Sequence, residues 1–378
     1  MQLIIAGRPV TSRGEPVDGW LAVDGELIVE AGEGRPPRPP DLDTGQSWLV
    51  PGFVDVHLHG GGGHAVRADR DALRGVLDFH AGRGTTSALL SLVSAPLEEM
   101  VATAGVVADV TATDPRLLGC HFEGPFLSAT YCGAHDPAVL LAPTPAELER
   151  LLAAARGTAR VVTLAPELPG GVAAIRQVVA AGAVAAVGHT GADHQQTLAA
   201  LAAGARHATH LFNAMPPVHH RIPGPVVALL GDARVTVELI LDGIHVHDAT
   251  ARLAVDAAGA GRVVLVTDAM AAAGMPEGAF QLEGQPVIVQ DGAVRLVGGT
   301  SLAGSVLTMD AAFRRAVQQL QCSPAEAVAM TSTNAARLLG FADRIGSLQP
   351  GRAADIVVLD DDLQVERVMK AGRWLEQP

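Results

Sequence analysis

Eight apolar segments alternate with helix-forming segments through the middle of this 378-residue chain. The candidate strands are 53–57, 85–90, 116–122, 160–165, 183–188, 206–211, 234–241 and 262–267. Capping boxes at 144–147 and 323–326 mark helix starts, Asp193 is a further cap, and Gly157 is expected to end the helix that begins at 144–147. Eight strand–helix units in one run are typical of a (β/α)8 barrel. The sequence therefore predicts an α/β fold built on a TIM-like barrel.

The two chain ends have a different pattern, with short β-rich runs separated by turns. Near the N-terminus, Asp24-Gly25 is a hairpin signal, and the proline-rich segment 35–40 is a connector. The run at 354–359 has the same character. We expect both ends to pair as one small β-sandwich domain. This divides the chain into residues 1–50, 51–343 and 344–378.

Two further features of the barrel region bear on the predicted fold. The glycine-rich run at 60–63 is compatible with an open doubly wound sheet, which carries such a run between its first strand and a helix. No helical pattern follows directly, so the barrel is favoured. The span Pro276 to Gly299, with the turn signal Asp291-Gly292, predicts a hairpin inserted after the last barrel strand.

Charge and composition exclude several classes of function. The formal net charge of −13 argues against a nucleic-acid partner, which requires a basic surface. With 48% hydrophobic and 18% charged residues, the chain is expected to bury a large core. We find no apolar run long enough for a membrane span and no signal-peptide pattern. Three cysteines without a disulfide pattern favour a reducing, cytoplasmic location.

The chain contains a single lysine, Lys370, close to the C-terminus. Chemistry that needs a lysine inside the barrel is therefore excluded. This removes a Schiff-base mechanism and a carboxylated lysine that bridges two metal ions.

Polar residues stand where the predicted strands end, which is where barrel enzymes have their active sites. They are His57, His59, Glu123, His189, His210, His245 and Asp268. Alternation along a strand places His57 and His59 on one face. Each histidine alone could be an ordinary buried residue, but an acid after an apolar strand is costly without a cationic partner. Together the set predicts a site for a divalent metal such as zinc or iron.

The motifs that carry these residues resemble the N-acetylglucosamine-6-phosphate deacetylases, a family within the amidohydrolase superfamily. The motifs are Pro51-Gly-Phe-Val-Asp-Val-His57-Leu-His59-Gly, His121-Phe-Glu123-Gly-Pro, Gly188-His189-Thr, Thr209-His210-Leu-Phe-Asn213-Ala214-Met215-Pro, Asp242-Gly-Ile-His245 and Val266-Thr-Asp268-Ala. The resemblance covers nearly the whole chain, in order. His-x-His is general to the superfamily, whereas the Glu-Gly-Pro and His-Leu-Phe-Asn-Ala-Met-Pro motifs are fairly specific to this family.

The resemblance implies one or two divalent metal ions per chain, with zinc favoured over iron, manganese or cobalt. The principal ligands would be Glu123, His189 and His210. A second ion would be held by His57, His59 and Asp268, with Glu123 as the bridge. Some members of the family lack the histidine pair and hold one metal, so the second site is an open expectation.

The resemblance also implies the catalytic and substrate-binding residues. Asp268 matches the catalytic aspartate, and His135 matches a histidine that contacts the acetyl carbonyl. The implied substrate-binding residues are His135, Asn213, Ala214, Arg221 and His245. In the family, the phosphate-binding pair that Arg221 and His245 match is supplied at least partly across a homodimer interface.

The implied reaction is hydrolysis of the acetamide of N-acetyl-D-glucosamine 6-phosphate to D-glucosamine 6-phosphate and acetate, in amino-sugar catabolism or cell-wall recycling. N-acetylgalactosamine 6-phosphate or another N-acyl amine is the alternative substrate. A third alternative is a non-catalytic binding protein with the same fold, which the complete ligand set disfavours.

A short cationic loop gives independent support for an anionic substrate. His219, His220 and Arg221 follow one another in an otherwise acidic chain, although such a loop can also be simply solvated. Arginine binds phosphate bidentately, so we expect Arg221 to contact the phosphate. Cys132 lies in another loop near the predicted site, and we expect no chemical role for it.

Overall fold

A parallel eight-stranded barrel forms the centre of the molecule in the computed structural model, which describes residues 2–10 and 16–376. The barrel strands are β1 (Phe53–Asp55), β2 (Thr85–Val93), β3 (Leu117–Glu123), β4 (Ala159–Leu164), β5 (Val184–Val187), β6 (His207–Ala208), β7 (Thr236–Ile240) and β8 (Val263–Val266). Each strand pairs in parallel with the next in chain order. All eight candidate strands are thereby confirmed, with ends that differ by a few residues.

The first and last strands meet at the carboxyl end of the barrel. The Asp268 backbone N–H donates to the His57 carbonyl at 2.8 Å, and the His59 N–H donates to the Ala269 carbonyl at 2.7 Å. Just below them, the Thr267 hydroxyl donates to the Asp55 carboxylate at 2.6 Å. Burial raises the pKa of Asp55 to about 7, although hydrogen bonds from Thr267 and His57 oppose the rise. The barrel therefore closes at the level of three predicted site residues.

Helices follow the strands and cover the outside of the barrel. They are α1 (Arg70–Ala81), α2 (Leu97–Thr111), α3 (Pro145–Ala154), α4 (Gly171–Ala180), α5 (His194–Ala203), α6 (Gly224–Gly231), α7 (Asp248–Ala258) and α8 (Met309–Gln318), followed by α9 (Pro324–Val328) and α10 (Asn334–Leu338). The caps at Asp193 and Ser323 are complete capping boxes, as predicted. The Thr144 side chain caps α3, but α3 ends at Ala154, before Gly157, because Arg156 already has a positive φ of 49°.

The two chain ends form one seven-stranded sheet, as the β-rich runs predicted. In sheet order its strands are Arg373–Trp374, Val365–Lys370, Ile356–Leu359, Leu42–Pro51, Leu3–Pro9, Gly19–Asp24 and Leu27–Glu33. Ile5 and Leu21 from the N-terminal part share a buried apolar cluster with Ile356 and Val358 from the C-terminal part. The halves of the sheet thus enclose a common core, while the bounds of the three-part division stay a prediction.

The insertion after the last barrel strand is larger than the predicted hairpin. It is a three-stranded antiparallel sheet of Gly278–Leu282, Gln285–Gln290 and Ala293–Leu296. Asp291 and Gly292 form the expected turn, with φ values of 51° and 71°. A second turn at Glu283-Gly284 adds the extra strand.

No helix among the described residues is long and apolar enough to cross a membrane.

His80 ties helix α1 to the glycine-rich loop that follows His59. The residue is buried, and its Nε2 lies 2.9 Å from the Gly60 carbonyl oxygen. Burial lowers the pKa of His80 to about 4, against the opposing effect of this hydrogen bond. The folded chain therefore keeps residue 80 neutral at pH values where the unfolded chain protonates it.

The folded pKa lies below the unfolded value, so stability is lost as pH falls from about 6.5 towards 4. We expect His80 to account for about 2 kcal/mol of the loss in unfolding free energy between pH 7 and pH 5. His80→Gln should show a correspondingly shallower pH dependence in denaturant unfolding at several pH values. His64→Gln, at an exposed site, is the matched control. Equal pH dependence in wild type and His80→Gln would contradict the assignment.

Candidate metal centre

The six predicted metal ligands converge at the carboxyl end of the barrel. His57 and His59 follow β1, Glu123 is the last residue of β3, and the remaining three lie two residues beyond β5, β6 and β8. All six are buried, the most exposed being Asp268 at 7%. The structure thus brings these six side chains together, and their role as metal ligands stays a prediction.

Glu123 lies at the centre of this cluster. Its Oε1 is 2.9 Å from His210 Nε2 and 3.1 Å from His189 Nε2. The same oxygen is 3.3 Å from His57 Nε2, and Oε2 is 3.1 Å from His59 Nε2. One carboxylate therefore reaches all four histidines. Glu123 belongs both to a triad with His189 and His210 and to a triad with His57 and His59, and in each the potential ligand atoms lie within 4.8 Å of one another.

The Nε2 atoms of the histidines face one another in pairs. His57 Nε2 lies 3.1 Å from His59 Nε2, and His189 Nε2 lies 3.0 Å from His210 Nε2. The opposite nitrogen, Nδ1, faces an acceptor in three of them: Glu238 for His57, the Ser91 carbonyl for His59 and the Tyr131 carbonyl for His189. In a neutral ring the proton is then on Nδ1, so Nε2 carries a lone pair. Converging lone pairs and carboxylate oxygens fit a divalent cation.

The charges around the cluster favour a cation in the same place. Burial alone would lower the pKa of His59, but Asp268 and Glu123 outweigh burial and raise it to about 9. Burial would raise the pKa of Glu123, yet His57 and the other surrounding imidazoles hold it well below its ordinary value. Protons thus compete with a metal for these donors.

Three of the predicted ligands have left-handed backbone conformations. The φ angle is 46° at His189, 25° at His210 and 50° at Asp268. Residues other than glycine adopt such angles at a cost of about 1–3 kcal/mol, and these residues collect at functional sites. This backbone conformation directs each side chain towards the cluster immediately after its strand ends.

Glu238, which the sequence analysis missed, lies beneath this cluster. It is fully buried in β7, and its carboxylate contacts both His57 Nδ1 and His207 Nε2, at 2.9 and 2.7 Å. The sequence could have indicated Glu238, because burying an acid inside the apolar run 234–241 is as costly as burying the acid at Glu123. His121 also lies below His57, bonded to Ser91 Oγ at 2.9 Å and Thr163 Oγ1 at 2.8 Å.

A cavity of about 420 Å³ opens onto the cluster. Its lining includes the predicted residues His135, Asn213, Ala214 and His245, together with Leu282 at the tip of the inserted sheet. The Ser94 N–H lies 3.2 Å from His135 Nδ1, so Nδ1 accepts and Nε2 carries the proton. His135 Nε2 is 3.5 Å from Glu123 Oε2, which places an N–H donor beside the metal ligands.

The two predicted phosphate-binding residues are separated. His245 lines the cavity, and its Nδ1 is 2.7 Å from Asp242 Oδ2. Arg221 is exposed on the loop 216–223 and is not part of the cavity lining among residues 2–10 and 16–376. The structure of one chain thus brings together every predicted site residue except Arg221. Cys132 is half-buried and unpaired in the loop that carries His135.

Comparison with known proteins gives consistent similarities. A solved structure of N-acetyl-D-glucosamine-6-phosphate deacetylase from Mycobacterium smegmatis, an aspartate-to-alanine variant in complex with N-acetyl-D-glucosamine-6-phosphate, is 43% identical with a TM-score of 0.95 and 99% coverage of both chains. N-acetylgalactosamine-6-phosphate deacetylase from Escherichia coli O157:H7 is 39% identical, over 94% of this chain and 96% of the relative. N-acetylglucosamine-6-phosphate deacetylase from Lysinibacillus sphaericus is 35% identical, over 96% and 94%. The amidohydrolase family model matches residues 48–375, and the chain belongs to the amidohydrolase family.

Proposed function

We propose that this protein hydrolyses the acetamide of N-acetyl-D-glucosamine 6-phosphate, releasing acetate and D-glucosamine 6-phosphate in a metal-dependent reaction. The observation that carries the proposal is the convergence of a metal-ligand cluster, a buried carboxylate at Asp268 and an N–H donor at His135 in one cavity. The names of the similar proteins support the substrate class.

Glu123, His189 and His210 would hold the principal metal, and His57, His59 and Asp268 would contribute a second position that shares Glu123. A bound divalent ion supplies Lewis acidity that lowers the pKa of water and polarises the acetyl carbonyl. Zinc is the ion we favour, because imidazole nitrogens and carboxylate oxygens are its usual ligands.

Asp268 would act as the general base and then the general acid. Its carboxylate takes the proton from the attacking water and returns it to the departing amine. The Asp268 N–H donates to the His57 carbonyl, and the Asp268 carbonyl accepts from Ser305 N–H at 2.7 Å. These two backbone bonds hold the carboxylate in place through both proton transfers.

His135 would stabilise the charge that develops on the acetyl oxygen. Ser94 occupies Nδ1 from the other side, so Nε2–H, which lies 3.5 Å from Glu123 Oε2, is the donor on the side of the cluster. One donor of this kind typically contributes ~3–4 kcal/mol to transition-state stabilisation.

The phosphate would bind at Asn213, Ala214 and His245, with Arg221 supplied by the second subunit of a homodimer. In support, Val218 and Ile222, on the same loop as Arg221, are 54% and 67% exposed. A largely apolar groove of about 770 Å³ adjoins this loop and shares His245 with the substrate cavity. Pairing two such faces would bury the apolar side chains and carry Arg221 towards the partner's phosphate position.

N-acetyl-D-galactosamine 6-phosphate is the second candidate substrate, and the similarity to the Escherichia coli O157:H7 relative favours it. The two sugars differ in the orientation of one hydroxyl group. Acetate release from both phosphorylated sugars and from unphosphorylated N-acetylglucosamine, on metal-assayed protein, would test the proposal. Turnover confined to the gluco phosphate is the expected result. Preference for the galacto epimer would show that N-acetyl-D-galactosamine 6-phosphate is the substrate.

A cytoplasmic location is proposed with either substrate, supported by three unpaired cysteines.

Replacing Asp268 by asparagine should reduce kcat by about 10²- to 10⁴-fold, the usual contribution of general acid–base catalysis. KM should change little, because the substrate-binding residues are untouched. Initial rates of acetate release measure both quantities. Asp256→Asn, at the exposed ion pair with Arg252, is the control and should retain full activity. Wild-type kcat in Asp268→Asn would exclude it as the base.

Replacing Glu123 by glutamine should lower the affinity of both metal positions, because its carboxylate belongs to both triads. The loss should exceed the ~10- to 100-fold that is usual for residues that only support a ligand. Metal analysis after dialysis against buffered metal measures it. Glu149→Gln, exposed on α3, should keep the wild-type metal content. Undiminished metal in Glu123→Gln would contradict the ligand assignment.

Replacing Arg221 by alanine should raise KM for the phosphorylated sugar by about 10- to 100-fold, since a hydrogen bond to a charged group contributes about 1.5–3 kcal/mol. KM for unphosphorylated N-acetylglucosamine should stay the same. Arg234→Ala, which breaks an exposed pair with Asp232, is the matched control. An equal rise in KM for both sugars would refute phosphate binding by Arg221.

A further inference from the structure

Glu238 is a buried acid that lies outside the cluster and contacts two of the proposed metal ligands. Its Oε2 accepts from His57 Nδ1 at 2.9 Å and from the His210 backbone N–H at 3.0 Å. Its Oε1 contacts His207 Nε2 at 2.7 Å. In the described part of the chain, Glu238 is not among the cavity-lining residues, so it acts on the site through other residues.

The contacts of Glu238 decide which nitrogen of His57 faces the cluster. An ionised carboxylate has no proton to give, so Nδ1 donates to it, and in a neutral His57 ring Nε2 then carries the lone pair. His59 and His189 obtain the same tautomer from neutral carbonyl groups, at 3.1 and 3.0 Å. Of these three histidines, His57 is the one whose Nδ1 contacts a charged group, the Glu238 carboxylate. A carboxylate behind a ligating imidazole orients the ring and increases its basicity.

His57 is also the histidine that contacts three carboxylates. Glu238 lies 2.9 Å from its Nδ1, while Glu123 and Asp268 lie 3.3 and 3.4 Å from its Nε2. With neutral imidazoles these acids carry three negative charges, and one divalent ion leaves one charge uncompensated. Buried charges are costly unless they are compensated. The surplus negative charge beside His57 therefore favours a second cation.

We propose that Glu238 is a positioning residue that makes His57 a ligand for a second divalent ion, so that occupancy of two metals per chain depends on Glu238. The proposal rests on the two-metal form of the proposed function. Occupancy of the second metal position would then depend on a residue that contacts neither metal nor substrate.

Glu238→Gln removes the charge and keeps the shape. The amide oxygen can accept from His57 and His210, while the amide nitrogen faces His207 Nε2. His207 can then move its proton to Nδ1, which lies 2.7 Å from Thr236 Oγ1 and 3.2 Å from the Thr236 carbonyl. Hydrogen bonding is preserved, so the measured change reports the charge.

Titration of metal-free protein with zinc, followed by calorimetry and metal analysis, is the test. Wild type should bind two ions per chain, and Glu238→Gln should bind the second ~10- to 100-fold more weakly, with the first unchanged. Raising free zinc should restore the second ion. Thr163→Val is the control, since Thr163 Oγ1 contacts His121 and Thr209 in the same buried layer without touching His57. It should lose stability and keep two ions.

Two equally tight ions in Glu238→Gln would overturn the inference and leave the deacetylase intact. One ion in active wild type would overturn the second site, and this inference with it, while the deacetylase stands. Equal weakening of both ions would also overturn it, because Glu238 would then support the whole centre. If Glu238→Gln does not fold, Glu238→Asp repeats the titration, since it keeps the charge but withdraws it from His57 by one methylene.

Discussion

The metal centre depends on one electrostatic constraint: four imidazole nitrogens and the oxygens of Glu123 are held closer together than their lone pairs favour. When the rings are neutral, the hydrogen-bond partners of three of them put the protons on the outer nitrogens, so the inner nitrogens and the carboxylate oxygens repel one another unless a proton or a cation lies between them. The strands hold this arrangement because each of these residues lies at the end of a strand or two to four residues beyond it. A divalent cation removes the repulsion, and the rest of the site follows from where that cation would lie.

Below this centre the barrel interior is polar where such interiors are usually filled with branched apolar side chains. Glu238, His207, His121 and Thr163 form a fully buried layer beneath the ligands. Each has hydrogen-bond partners within the barrel, which keeps the layer ordered and limits the rotation of the rings above it. The orientation of the ligands therefore originates one layer deeper than the ligands themselves.

Local signals were sufficient to predict the eight strands and the polar residues that cluster at their ends, because each of these residues stands where an apolar strand ends. Glu238 was missed although it interrupts an apolar run, because it lies inside a strand rather than at its end. Whether such a residue points into the barrel depends on how neighbouring strands align, which the run itself does not encode. The predicted hairpin became three strands because the prediction rested on the turn at Asp291-Gly292 alone, and the turn at Glu283-Gly284 adds a strand before it. The role proposed for Arg221 requires a second chain, so neither the sequence pattern nor a single chain shows its position relative to the cavity.

The position of the ligands also bears on how the barrel comes apart. The contact between Glu123 and His189 spans 66 residues of chain, and the contact between Glu123 and His210 spans 87. A cation bound at these atoms is a cross-link between distant strands, and closing long segments in this way restricts the unfolded chain. It also binds the folded form in preference to the unfolded one. The catalytic ion would therefore also stabilise the fold. The effect would be largest at the carboxyl end of the barrel, where loops follow the strands, and loss of the ion would speed local unfolding there most.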